Sequence, residues 1–291
     1  MTTNDLVRAC FADAAVQGWV HARPVGGTRE VAVDADESVV MASLYKLPVL
    51  IAFCRAVDAG QIDPRAPIRL EPRTRTSGPT GIGALRDPVT MSGRDLAAMM
   101  IAVSDNAAGD ALLSLVGTTQ LNATLQTLGL ADTRISGGTA HLHRVLRSRL
   151  GASGVPEVLA ALASNDEAVA PEVLDPHLTS STTARDMTHL LALTWTDQAA
   201  SPAQCAFARS ALEGQLFSQR LRSGFPYSRV RIAGKTGTLG ALRHEVGVVT
   251  FPHQEPVAIA VLTRSARSDA VLPEADKAIG AVAALCVRDL Q

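Results

Sequence analysis

Ser43 and Lys46 stand three residues apart at the head of an apolar run, Met41-Ala42-Ser43-Leu44-Tyr45-Lys46-Leu47-Pro48. Residues i and i+3 share a helical face, so the Lys46 amine can reach the Ser43 hydroxyl. A serine in the first turn lies where unpaired N–H groups and the helix dipole favour developing negative charge. A lysine in a dry pocket loses its proton readily because burial disfavours the ammonium form. The amine can then take the hydroxyl proton and turn a weak nucleophile into a strong one. Pro48 fits this reading only if the helix starts near Ser43, since proline is tolerated in a first turn.

Two further motifs carry matching chemistry. Ser104-Asp105-Asn106 sits at a helix boundary, where it would serve equally as a cap or turn. Lys235-Thr236-Gly237-Thr238 sits on a late strand, where it would serve as an edge strand with a glycine bulge. Each is ordinary alone. A Ser-x-x-Lys, a Ser-Asp-Asn and a Lys-Thr-Gly together, each in a fitting element, are rare by chance.

The elements that must position these residues follow from periodicity. Residues 3–16 read as an opening helix closed by Gly18. Trp19–Arg23 and Glu30–Asp34 read as a strand pair, with Pro24 and Gly26-Gly27 in the turn. The nucleophile helix runs from Ser43 to Gly60, and residues 61–90 read as loop with one short helical turn. Helices are predicted over Leu96–Val103, Ala107–Val116, Thr118–Leu128 and Val155–Ala163, then Ala184–Trp195 and Ser201 to about Leu221. Residues 131–157 show no clear period, and 164–178 read as loop. Strands follow at Val230–Thr238, Glu245–Phe251 and Val257–Thr263, with a closing helix near Pro273–Arg288. Strands at both ends around a helical middle imply an α/β (α+β) chain: a five-stranded antiparallel sheet flanked by N- and C-terminal helices, with an inserted all-helical lobe. The expected arrangement is a single domain, 1–291, with a sheet lobe near 1–42 and 225–291, a helical lobe near 43–224, and a ligand cleft between them.

Composition narrows the function. The chain has 291 residues, 47% of them hydrophobic, with net charge −1 and 3% aromatic content. Lys and Arg are scattered and aromatics are few, so neither a nucleic acid nor a membrane surface is an expected partner. The N-terminus has no basic flank and apolar core of a signal peptide, which gives a cytoplasmic expectation; a mis-assigned start would allow export. Cys10, Cys54, Cys205 and Cys286 lie far apart without metal-ligand spacing. His141, His143, Arg144, Arg147 and Arg149 form a basic cluster without a nearby carboxylate and read as a solvated face. No metal and no cofactor is expected, only a small-molecule substrate and a monomeric chain.

The three motifs together resemble those of the serine β-lactamase and penicillin-binding superfamily, class A β-lactamase-like serine hydrolases in particular, and the resemblance covers nearly the whole chain. It implies that Ser43 is acylated, that Lys46 accepts its proton and that Ser104 relays a proton to the leaving group. Asn106 would hold Lys46 and a substrate amide; Lys235, a fourth catalytic residue, and Thr236 would bind a substrate carboxylate, with Gly237 and Thr238 beside them in contact with substrate. The oxyanion hole would be the backbone N–H groups of Ser43 and Thr238. Arg243, on the next strand, would bind a substrate carboxylate, with a surface ion pair to Glu245 as the alternative. One departure matters: where class A enzymes carry a deacylating glutamate, this chain has Ser136-Gly137-Gly138-Thr139-Ala140, and the nearest acids are Asp132 and Glu157. The expectation is a serine hydrolase acting through a Ser43 acyl-enzyme on a small amide, β-lactam or ester, with weak deacylation of penicillins. The alternatives are an intracellular esterase or acyltransferase of specialised metabolism, and a penicillin-binding sensor or acyl trap without turnover.

Overall fold

The computed structural model describes residues 1–164 and 174–291. Thr2 and Asp5 close a reciprocal cap that starts α1 (Thr3–Asp13). Ala15, at φ 51°, turns the chain out of the helix. Gly18 therefore lies inside β1 (Val16–Pro24) instead of ending α1, and a Cβ there would enter the Phe11 ring. β2 (Val31–Val33) pairs antiparallel with β1 through Val20 opposite Val33 and Ala22 opposite Val31. Next come β3 (Val39–Val40), a 3-10 turn over Ala42–Tyr45, and α2 (Lys46–Asp58), with Pro48 in its first turn.

The segment expected to be loop holds a two-stranded ribbon, β4 (Pro67–Leu70) with β5 (Val89–Ser92). Ser92 caps α3 (Gly93–Ala102), and Asp105 caps α4 (Asn106–Val116). After α5 (Thr118–Thr127), the unperiodic stretch forms α6 (Thr139–Leu150), followed by α7 (Val155–Ala163). β6 (Ser181–Thr182) pairs with β3, so the chain leading to Ser43 is tied to the start of α8 (Ala184–Trp195). α9 (Pro202–Glu213) stops short of the expected Leu221. β7 (Arg231–Leu239), β8 (Leu242–Thr250), β9 (Val257–Ser265) and α10 (Pro273–Leu290) complete the chain.

The sheet order is β2-β1-β9-β8-β7 with antiparallel neighbours. Period-two alternation sends β9 to both faces. Ala258, Ala260 and Leu262 pack with α2 and α8, while Val257, Ile259 and Val261 pack with α1 and α10. The fold class matches the sequence expectation: a five-stranded antiparallel sheet between terminal helices on one face and inserted helices on the other.

α10 presses closely on the 3-10 turn Leu221–Gly224. A Cβ on Gly280 would lie 2.6 Å from the Arg220 carbonyl and 2.7 Å from the Gly224 nitrogen. The expected result for Gly280→Ala is net destabilisation. Overpacking costs about 1–3 kcal/mol and outweighs a helix-propensity gain of about 1 kcal/mol. Chemical denaturation checks it: a midpoint equal to or above the parent's would refute this packing argument.

Candidate active site

The 3-10 turn and the first turn of α2 set Ser43 and Lys46 on one face, as their spacing predicts. Lys46 is fully buried, and its Nζ lies 3.3 Å from Ser43 Oγ. It also lies 2.5 Å from the Ser104 carbonyl, 2.9 Å from Asn106 Oδ1 and 3.2 Å from Ser104 Oγ. The carbonyl and amide oxygens can only accept, so they take two amine hydrogens. The remaining amine position faces the two hydroxyls. In the neutral amine that position is the lone pair, correctly placed to take the Ser43 proton. The Asn106 amide is oriented by its Nδ2 donating to the Ser77 carbonyl at 3.2 Å.

Burial lowers the Lys46 pKa to about 7, although the carboxylates of Asp110 and Asp105 partly oppose the shift. Lys235 comes in from β7, fully buried, 2.9 Å from Ser104 Oγ. Burial lowers its pKa strongly, and the positive charges of Lys46 and Arg220 lower it further. Ser104 thus sits between two amines, which suits a hydroxyl that passes a proton. It holds that place at φ +56°, a left-handed conformation that costs a non-glycine residue about 1 kcal/mol or more.

Asp105, between Ser104 and Asn106, points away from this chemistry. Its carboxylate caps α4 through the Ala107 and Ala108 N–H groups and accepts from the Ile82 N–H across the cleft wall. Gly237 permits the sheet to approach the nucleophile turn: its Cβ would lie 3.0 Å from the Met41 carbonyl and 3.1 Å from Leu44 Cγ. Gln215 Oε1 accepts the Thr236 N–H at 2.7 Å, so that N–H leaves the ladder at the open edge of β7. By the two-residue period Thr238 also turns its N–H outward, as an oxyanion donor requires. Ser43, Lys46, Ser104, Asn106, Lys235 and Thr236 therefore converge on one cleft, with Gly237 and Thr238 along its sheet edge.

Arg243 does not take the expected place. Its two Nη atoms donate to the carbonyls of Gly240, Leu242, Asp269 and Ala270, which pins the β7–β8 turn to a neighbouring loop. Nor does it pair with Glu245, which accepts from Gln215 and the Leu221 N–H. The guanidinium that reaches Gly237 and Thr238 belongs to Arg220, 3% exposed. It donates to Thr238 Oγ1 at 2.8 Å, the Gly237 carbonyl at 3.0 Å and the His244 carbonyl at 2.8 Å, with Asp276 at 2.6 Å. His244 was equally hidden in the sequence. Burial lowers its pKa to about 4. The neutral ring donates from Nε2 to the Val40 carbonyl at 3.1 Å and accepts the Thr263 N–H on Nδ1, which fixes the approach to Ser43.

The Ser136–Ala140 stretch opens α6, and Thr139 is its inward residue, 3.0 Å from the Tyr45 hydroxyl and 3.3 Å from Asn106 Oδ1. Asp110 accepts from the Tyr45 hydroxyl, Thr76 Oγ1, and the Thr139 and Ala140 N–H groups, so donors crowd both its oxygens. Asp132 and Glu157 are exposed; the backbone N–H of Asp132 donates to Asp186, and the Glu157 carboxylate accepts from Ser153. Neither takes the deacylating position. Of the basic cluster, Arg144, Arg147 and Arg149 are exposed, whereas His143 is half-buried and within electrostatic reach of Asp110 and Lys46.

Comparison with known proteins places this geometry. The model of the family described as "Beta-lactamase enzyme family" matches residues 3–290. A beta-lactamase regulatory protein, BlaB, of Streptomyces cacaoi is 30% identical over 81% of this chain and 80% of its own length. The beta-lactamase of Sphaerobacter thermophilus superposes with a TM-score of 0.79 at 24% identity, over 98% of this chain and 96% of its own. A mutant of PBP-A, solved as an acyl-enzyme complex with penicillin G, superposes with a TM-score of 0.78 at 18% identity, over 97% and 93% of the two chains.

A base of pKa about 7 gives this site a pH signature. Below that value Lys46 is an ammonium without a lone pair. Acylation of Ser43 by an activated ester should therefore fall about tenfold per unit below pH 7 and level off above it. Lys46→Ala should cut the plateau by about 10²–10⁴-fold. Stopped-flow labelling from pH 5.5 to 8.5 checks both, and a rate independent of pH would remove Lys46 from the role of base.

Proposed function

The chain belongs to the beta-lactamase enzyme family, and from that premise we propose that it is a serine hydrolase working through a Ser43 acyl-enzyme on a small amide, β-lactam or ester. The observation that carries the reading is the Lys46 amine, desolvated and aimed at Ser43 and Ser104. Ser43 Oγ attacks the acyl carbonyl as its proton passes to Lys46. The oxyanion is held by the N–H groups of Ser43 and Thr238. Ser104, between Lys46 and Lys235, delivers a proton to the departing nitrogen or oxygen as the C–N or C–O bond breaks. A substrate carboxylate lies against Lys235, Thr236 and Thr238, backed by the Arg220 guanidinium in place of Arg243.

Hydrolysis of the acyl-enzyme is the weak step. A water must be activated beside the ester carbonyl, and the inward group there is the Thr139 hydroxyl, engaged with Tyr45 and Asn106. Without a positioned base, deacylation slows by about 10²–10⁴-fold, roughly 3–5.5 kcal/mol of barrier. A second reading, a sensor that is acylated once and stays occupied, is favoured by the naming of the Streptomyces cacaoi relative as a regulatory protein.

Intact-mass analysis over time separates these. Benzylpenicillin should leave an adduct of its own mass on Ser43 that persists after a burst, and Ser43→Ala should show none. Small activated esters should turn over steadily in the hydrolase and stop after one equivalent in the sensor. Rapid steady hydrolysis of benzylpenicillin with no adduct, or equal labelling of Ser43→Ala, would overturn the proposed mechanism.

A further inference from the structure

The hydrogen bonds behind the sheet edge converge on one carboxylate. We propose that Glu245 is a positioning residue for anionic substrates, bracketing the two arms that set the Thr236 backbone and the Arg220 guanidinium in place. The proposal deepens the reading of the cleft as an acyl-enzyme site by assigning what gives it a preference for carboxylate-bearing substrates.

Glu245 lies on β8 directly opposite Thr236 and is 2% exposed. One oxygen accepts from Gln215 Nε2 at 2.9 Å, and the other accepts the Leu221 N–H at 2.6 Å. The first bond dictates the Gln215 amide. An ionised carboxylate can only accept, so the NH₂ must face it and the carbonyl oxygen must face the Thr236 N–H. The second bond fixes the residue after Arg220. With that backbone held, the guanidinium spans the Gly237 and His244 carbonyls and the Thr238 hydroxyl, while Asp276 engages its Nε.

Two N–H groups on two oxygens need the ionised acid. A protonated acid turns one oxygen into a donor, and a glutamine presents one acceptor and one NH₂. Burial resists that ionisation and raises the Glu245 pKa to about 7; the Leu221 N–H, Arg220, Gln215 and Lys235 pull the other way. Neither arm hydrogen-bonds Ser43, Lys46 or Ser104, so the bracket acts on recognition and leaves the proton machinery alone.

The test uses non-covalent binding, so it does not depend on turnover. In a Ser43→Ala background at pH 8, calorimetry compares benzylpenicillin with its methyl ester. The parent background should prefer the acid. Adding Glu245→Gln should weaken the acid about tenfold, the loss of one charged hydrogen bond, and the ester less than about twofold. Gln215→Ala, which leaves the buried carboxylate in place, should give a smaller loss, about threefold, again confined to the acid. Thermal unfolding reports whether each variant folds, and if Glu245→Gln does not, Gln215→Ala decides alone. Equal weakening of both ligands, unchanged acid affinity in the variants, or no acid preference in the background would each overturn the proposal. Acid selectivity that follows Glu245 in a chain whose Ser43 never forms an adduct would discard the acyl-enzyme reading and leave this one standing.

Discussion

Two lysine amines buried within hydrogen-bond reach of one serine hydroxyl are the constraint on which this molecule turns. Lys46 and Lys235 each lie in a place that water does not reach, 3.2 and 2.9 Å from Ser104 Oγ. Two ammonium ions there would repel each other and forfeit their hydration together. The site relieves this by keeping amines easily deprotonated, and an easily deprotonated amine beside Ser43 is what acyl transfer needs. In the proposed mechanism, the electrostatic cost of bringing helix and sheet together is what makes the amine reactive.

Holding that arrangement requires support from several directions. His244 ties β8 to Val40 and Gly237 lets β7 approach Met41, so sheet and nucleophile turn are locked in register. Asp105 anchors α4 and the Ile82 loop, which leaves Ser104 strained at positive φ with both its oxygens turned toward Lys46. Strain of that kind persists only where surrounding contacts over-determine it.

What the sequence made legible follows from how far each residue's role is local. Ser43 and Lys46 are read from helical spacing alone, and β7 to β9 from alternation. α6 escaped because its cap is tertiary: Gly138 contributes no side-chain cap, and Asp110 on α4 receives the first N–H groups instead. Its arginine-rich face also blurs the apolar period. β4 and β5 are short and half exposed, so they read as loop. Arg220 and Arg243 look alike in sequence. Which of them reaches Gly237 and Thr238 on β7 depends on α10 pressing the Leu221–Gly224 turn inward and on carbonyls 26 and 27 residues away capturing Arg243.

The carboxylates nearest the cleft share a trait that bears on function. Asp105, Asp110 and Glu245 all accept backbone N–H groups, and all act as anchors for the walls. Carboxylate oxygens already engaged by these N–H donors have few lone pairs left to present to water. A general base must instead present a free lone pair to water, near the carbonyl it attacks. Asp110 comes closest, through Tyr45 and Thr139, yet its oxygens are crowded by four donors. Making it a base would release the N-terminus of α6. In the proposed mechanism, the same bonds that build the cleft wall therefore oppose hydrolysis of the acyl-enzyme, while acylation would draw on the lysines alone.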